Sequence, residues 1–212
     1  MKLLTKKEKL EIHRLLLELY PHRRCALEYS TPFELLVASR LSAQCTDKRV
    51  NEVSKELFRE FPTPEALAEG DIERIENIVR PCGLYRVKAS DIKKECQKLV
   101  YEYQGQLPCD MQKLLEFDGI GRKIANLLMG DIFGRPAIVA DTHCIRISSR
   151  LGLVSPPSKN PLIVEKTLKK LIPEEESSDF CHRIVMFGRE ICTARSPSCN
   201  LCPLKDECDK VM

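Results

Sequence analysis

At 212 residues the chain is long enough for one large domain or two small ones. Its 43% hydrophobic content can fill a core without disulfide staples. A net charge of +3 is too mild to mark a nucleic-acid-binding surface by itself, so any basic surface must be local. No apolar run is long enough to span a bilayer, and Glu8 and Glu11 interrupt the N-terminal lysines in a way that fits no signal peptide. These features place the chain inside the cell, where thiols stay reduced.

Thr5-Lys-Lys-Glu8 has the capping-box pattern, and Leu10, Ile12, Leu15, Leu16 and Leu17 supply a buried helix face that ends before Pro21. Thr31-Pro32-Phe-Glu34 starts a second helix, Phe33 to Leu41, apolar enough to be central. Ser42 to Asp47 reads as a turn, and Val50, Val53, Leu57, Phe58 and Phe61 continue at helical spacing. Thr63-Pro64 and Asp71 are further helix starts, and Pro81 closes the second of these helices. Cys82-Gly-Leu-Tyr85 reads as a loop, Val87 to Tyr103 as a helix stopped by Gly105, and Met111 to Phe117 as a helix capped by Asp110. Asn160-Pro161 starts Leu162 to Ile172, and Ser178 or Asp179 starts a last helix toward Cys192. Ile138-Val-Ala140 is the one β-like run, so the expected fold class is all-α, with about ten short helices and no repeats.

Between the Met111 helix and this run lies Gly119-Ile-Gly121-Arg122-Lys123. Glycines relieve Cβ crowding, so the chain can turn tightly and present consecutive N–H groups. A helix begins at about Arg122, and its N-terminus carries partial positive charge that suits a phosphate. Lys123 sits in that first turn, where a cation is electrostatically misplaced, and a neutral amine is a nucleophile. Read alone, a short Gly-x-Gly fits a plain turn followed by a solvated lysine equally well. From Ile120 to Arg150 the basic residues are Arg122, Lys123, Arg135, Arg146 and Arg150, against Asp131 and Asp141, a local excess of three.

The chain holds eleven cysteines. Cys192, Cys199, Cys202 and Cys208 stand in the spacing C-x6-C-x2-C-x5-C and can converge on one metal centre. Disulfides are a poor reading in a reducing compartment. Spacing favours metal without choosing between zinc and iron. The single Cys-x-x-Cys pair leans toward iron–sulfur, since zinc knuckles pair two such loops. The other seven cysteines are scattered and read as small buried or half-buried residues.

Gly-Ile-Gly-Arg-Lys, Val-Ala-Asp-Thr-His, Leu-Ser-Ala-Gln, Gly-Leu-Tyr and the cysteine tail form one set. Together they resemble the endonuclease III family of helix-hairpin-helix DNA glycosylases, over about Leu10 to Cys208. The resemblance implies a two-domain all-α fold with a DNA cleft between the domains. One is a six-helix domain at 23–135, with its hairpin at about 110–130. The other is a discontinuous domain of 1–22 plus 136–212, with a 4Fe-4S cluster on the loop 192–208. It implies that Lys123 and Asp141 are catalytic and that Cys192, Cys199, Cys202 and Cys208 are metal ligands. Double-stranded DNA with a damaged base or abasic site would be the partner, met by Gln44, Leu84, Gly119, Gly121, Arg122, His143 and Arg195. The implied enzyme removes oxidised pyrimidines and cleaves 3′ to the abasic site, working as a cytoplasmic monomer, nucleoid-associated if bacterial.

The chemistry accounts for these residue types. The base must leave the stack before C1′ is reached. Lys123 would attack C1′ and form a Schiff base, which acidifies the sugar and permits β-elimination. Asp141 would stabilise the oxocarbenium-like charge, as carboxylates do in glycosidases. Gln44 and Leu84 would fill the hole left in the duplex, Gly119 and Gly121 would offer amides to a phosphate, and Arg195 would touch another. Asp141 as a plain helix cap is the competing role. A related adenine glycosylase would lack the hairpin lysine and carry an extra C-terminal domain, whereas this chain has Lys123 and stops four residues after Cys208. A catalytically silent DNA-binding module would not need the Lys123/Asp141 pair. One departure stands out: Phe117-Asp118-Gly119 replaces the family's Leu-Pro-Gly. This removes a proline that presets φ and adds negative charge near the phosphate site, so weaker DNA affinity is expected.

Overall fold

Short polar side chains just before apolar runs set most helix starts, because they accept the first-turn N–H groups that no helix can satisfy internally. The computed structural model describes residues 4–22 and 25–208. The expected domain boundary at 22/23 and the stretches 1–3 and 209–212 fall at or outside those residues.

The chain divides into two compact units, Cys25–Phe133 and Met1–Arg24 with Gly134–Met212. The first holds α2 (Pro32–Leu41), α3 (Asp47–Glu60), α4 (Pro64–Glu69), α5 (Ile72–Val79), α6 (Tyr85–Tyr103), α7 (Met111–Leu114) and α8 (Arg122–Asp131). The second holds α1 (Lys6–Leu19), α9 (Thr142–Arg150), α10 (Pro161–Leu171) and α11 (Ser177–Glu190). Eleven α-helices and no strand are present among the described residues.

In the first unit, Thr31, Thr46, Thr63, Asp71 and Asp110 each accept a first-turn amide, and proline occupies the start of α2 and α4. Each such cap stabilises its helix by about 1 kcal/mol. Leu35, Leu36, Val37, Ala38 and Leu41 of α2 are fully buried. This helix is covered nearly all round, as its unbroken apolar run requires. α6 packs on α4 and α5. α7 ends at Leu114, not Phe117, because the chain turns into the hairpin there.

In the second unit, Thr5 and Glu8 form both halves of the capping box that starts α1. α11 packs on α1 and α9. Arg183 of α11 pins the end of α1, donating from Nε to the Tyr20 carbonyl at 3.1 Å and from Nη1 to Glu176 at 2.8 Å. The β-like run Ile138–Ala140 forms no strand. Side chains of α11 meet amides here instead: the Ala137 N–H, just before the run, donates to Ser177 Oγ at 2.9 Å, and the Val139 N–H donates to Cys181 Sγ at 3.2 Å. α11 begins at Ser177, ahead of the expected Ser178 or Asp179, because a 3-10 turn at Glu174–Glu176 feeds into it.

Candidate functional site

Two buried residues anchor the hairpin between α7 and α8. Phe117 stacks on Tyr103, ring centroids 5.6 Å apart, and the Ile120 N–H donates to the Phe117 carbonyl at 3.1 Å. Burying these two leaves Asp118, Gly119 and Gly121 outside. Gly119 has φ +75°, and a Cβ there would lie 2.5 Å from Nε of Arg40. Arg40 is fixed in turn by Asp91, Nε to Oδ2 at 2.8 Å. Gly121 differs: its backbone is extended, and a Cβ would meet nothing within 4 Å. The expectation that both glycines relieve crowding therefore applies to Gly119 alone.

Gly121 is the N-cap of α8, and no side chain caps that helix. Its positive end is open on the same exposed turn that carries Arg122 and Lys123. Under the hairpin, Glu95 of α6 is fully buried, and neither carboxylate oxygen has a hydrogen-bond partner. Burial holds its carboxyl well above the usual carboxylate range; Arg40 opposes this, and the charges of Asp91 and Asp118 reinforce it.

Gln44 and Leu84 lie in the same unit. Both hold left-handed backbone, with φ 54° and φ 48°. For a residue with a Cβ such a conformation costs on the order of 1–3 kcal/mol and persists only where surroundings impose it. Leu84 is the N-cap of α6, which corrects the loop expected to run through Tyr85, and its apolar side chain is 57% exposed. Val87, one turn further on, is exposed as well, so two apolar side chains face outward at the start of α6.

In the other unit Asp141 caps α9, Oδ1 accepting from the Cys144 N–H at 2.7 Å. The cap uses one carboxylate oxygen and leaves the second for other chemistry. His143 is half-buried, with Nδ1 3.3 Å from Nη2 of Arg146 and directly over Gly188, where a Cβ would come within 2.5 Å. Nη2 of Arg146 also donates to the Cys192 carbonyl at 2.9 Å, linking this helix to the cysteine loop.

Cys192, Cys199, Cys202 and Cys208 line one cavity of about 160 Å³, walled by Leu151 and Phe187. Arg150 organises its rim. Nη1 donates to Cys192 Sγ at 3.4 Å and to the Thr193 carbonyl at 2.8 Å, Nη2 donates to the Ala194 carbonyl at 3.1 Å, and Cys208 Sγ donates to the Arg150 carbonyl at 3.3 Å. Burial pushes the Cys202 thiol up, against a backbone hydrogen bond at Leu204, and the sulfurs of Cys208, Cys192 and Cys199 push it the same way. Four sulfurs gathered at one cavity suit a cationic centre, which would offset the mutual repulsion of their thiolates. The apolar walls and the N–H donor at sulfur suit an iron–sulfur cluster. Arg195 is exposed on the loop between Cys192 and Cys199. Of the other seven cysteines, Cys109 is exposed, contrary to expectation, because it lies in the linker before α7.

Sequence reasoning passed over Arg150 in the unit that carries the cysteine loop, and Glu95 and Lys88 in the other. Arg150 was counted only as local charge. Glu95 and Lys88 carry no signal in the sequence, yet both are fully buried on α6.

Residues 37–174 match the HhH-GPD superfamily of base excision DNA repair proteins, and residues 192–208 match the iron–sulfur binding domain of endonuclease III. Endonuclease III of Synechocystis sp. is 43% identical over 98% of this chain and 94% of its own length. Two solved structures superpose with TM-scores of 0.92 at 43% identity. One is a non-covalent endonuclease III–DNA complex, covering 98% of this chain and 96% of that one; the other is a trapped endonuclease III–DNA covalent intermediate, covering 98% and 97%. The fold and site thus define a helix-hairpin-helix base excision repair enzyme with a 4Fe-4S centre. Within that class, the chain belongs to the endonuclease III family.

Proposed function

We propose that the chain removes oxidised pyrimidines from duplex DNA and cleaves the strand 3′ to the resulting abasic site, with Lys123 as nucleophile. The observation that carries this reading is an exposed lysine in the first turn of a helix with no side-chain cap, directly after the Gly119 turn, in a chain of this family. The relative trapped as a covalent intermediate with DNA supports it. Neutral Lys123 Nζ attacks C1′ as the glycosidic bond breaks and the base leaves with the bonding electrons and a proton. The C1′–O4′ bond then opens to give a Schiff base. Loss of a C2′ proton to a base expels the 3′ phosphate. Asp141 stabilises the positive charge that builds on the sugar.

The amides at Gly119 and Gly121 bind a backbone phosphate beside Arg122. The open space around Gly121 allows that close approach. Gln44 and Leu84 fill the hole left by the flipped nucleotide, and the left-handed backbone at both supports their presentation outward. Cys192, Cys199, Cys202 and Cys208 hold the 4Fe-4S cluster, which ties down the loop carrying Arg195 toward DNA. His143 orients the start of α9 and meets DNA there.

Among the described residues no helix is long and apolar enough to cross a membrane. We infer that the enzyme works as a monomer, and we place it in the bacterial cytoplasm with the chromosomal DNA, a location its bacterial relatives support. The test is borohydride trapping on a duplex with one abasic site. A stable protein–DNA adduct is expected, absent in Lys123→Ala, with strand cleavage down on the order of a thousandfold or more. An adduct that survives Lys123→Ala would overturn the assignment.

A further inference from the structure

Lys88 lies on the first turn of α6, with no solvent exposure. A buried ammonium is costly unless its donors are met. Its two hydrogen-bond partners are both main-chain carbonyls: Nζ donates to Leu41 at 2.8 Å and to Cys82 at 2.7 Å. Leu41 is the last residue of α2, and Cys82 is the last residue of the 3-10 turn Arg80–Cys82. Both carbonyls are left without a partner at a helical C-terminus, where partial negative charge collects. One cation thus closes two chain ends.

The segments leaving those ends carry the two strained residues. Three residues beyond Leu41 is Gln44, φ 54°, and two beyond Cys82 is Leu84, φ 48°. The main-chain N–H of Lys88 donates to the Leu84 carbonyl at 3.0 Å, so side chain and backbone of one residue grip the chain on both sides of Gly83. Burial pushes the Cys82 thiol up, and the nearby Cys45 sulfur adds to the shift, so the two segments also approach each other there. An apolar residue would fill the same space without the cost of a buried charge. A cation here gives a fixed distance between two loops.

We propose that Lys88 is a positioning residue that sets the spacing of Gln44 and Leu84, so that both enter the duplex together at the flipped nucleotide. The proposal rests on the reading that those two residues fill the duplex. Lys88 touches neither the sugar nor the base; it acts through the two loops.

The test exploits a substrate that has no hole to fill. Strand cleavage is measured on a duplex with one abasic site and on the same abasic strand unpaired. Lys88→Met should lower the duplex rate about a hundredfold, the scale of a small misplacement of a positioning group, and leave the single-strand rate near wild type. Lys88→Arg, which keeps a cation with several donors, should restore most of the ratio. If Lys88→Met fails to fold, Lys88→Gln keeps an amide donor without the charge and should show an intermediate ratio. Leu84→Ala should lower the same ratio, and adding Lys88→Met to it should cost little more. An equal loss on both substrates would reduce Lys88 to general structure, and multiplicative effects of the two changes would overturn action through Leu84. Should Leu84→Ala leave the ratio unchanged, the duplex-filling reading fails; should it shift while Lys88→Met does not, the Lys88 proposal alone fails.

Discussion

Nε of Arg40 lies 2.5 Å from the point where a Cβ on Gly119 would stand, so the hairpin rests on a guanidinium that Asp91 already holds. Gly119→Ala would meet both that contact and the left-handed φ, which alone costs about 1–2 kcal/mol for a residue with a Cβ. We expect Gly119→Ala to lower folding stability by about 2 kcal/mol or more, because the buried pair must shift as well. Gly121→Ala has extended backbone and open space, so its stability should stay within about 0.5 kcal/mol of wild type while duplex affinity falls. Urea unfolding and fluorescence anisotropy on the two variants check this. Equal stability losses would mean that the turn tolerates a side chain at neither glycine.

Asp141 has a structural duty as a cap and a proposed catalytic one, and the two separate chemically. Asparagine caps helices about as well as aspartate but carries no charge. Asp141→Asn should keep stability within about 1 kcal/mol and lower base excision by about a hundredfold or more. Asp141→Ala should lose the same activity and about 1 kcal/mol of stability besides. Full activity in Asp141→Asn would leave the cap as the residue's whole role.

The helix starts were legible because capping is local: Thr5, Thr31, Thr63, Asp71 and Asp110 act within three residues of themselves. The cysteine spacing was legible for the same reason, since its ligands sit on one short loop. What stayed hidden depends on tertiary packing. Lys88 and Glu95 are spelled like surface residues of an amphipathic helix, and only the packing of α6 against other helices buries them. The left-handed backbone at Gln44 and Leu84 is invisible in residue type, since neither leucine nor glutamine favours it. Ile138–Ala140 read as β-like because it is a short continuous apolar run with two β-branched residues, but a strand needs a partner, and side chains of α11 meet the amides of Ala137 and Val139 instead. Gln44 and Leu84 entered the site through resemblance, not through any pattern in the chain itself.

The loop from Cys192 to Cys208 has little secondary structure of its own, a single 3-10 turn at Cys199–Leu201. Its order therefore depends on the cluster and on Arg150. Oxidative removal of the iron should strip amide protection from 192–208, read by hydrogen exchange with mass spectrometry, while the unit Cys25–Phe133 keeps its own core and its protection. Cys202→Ser should give a milder version with weakened visible absorption. Uniform loss of protection across both units would show that the cluster supports the whole fold.

Glu95 gives the enzyme a pH dependence whose sign can be worked out. Burial raises its folded-state carboxyl well above the usual carboxylate range, with Asp91 and Asp118 adding to the shift and Arg40 opposing it. Below the unfolded value both states hold the proton, and the group adds no pH dependence. As pH rises above that value the unfolded chain ionises while the native one stays protonated, so the native state binds more protons and stability falls. The fall, at most about 1.4 kcal/mol per pH unit, ends once pH passes the raised folded value. Glu95→Gln cannot ionise and should lack this slope. The stability difference between Glu95→Gln and wild type should therefore move in favour of the variant as pH rises from about 5 to about 8. Asp118→Asn, removing one of the charges that raise Glu95, should end the fall at a lower pH. Urea unfolding across that range measures all three proteins. A difference that stays flat with pH would mean that Glu95 ionises alike in both states, and that the hairpin leaves more room for water beneath it than its packing indicates.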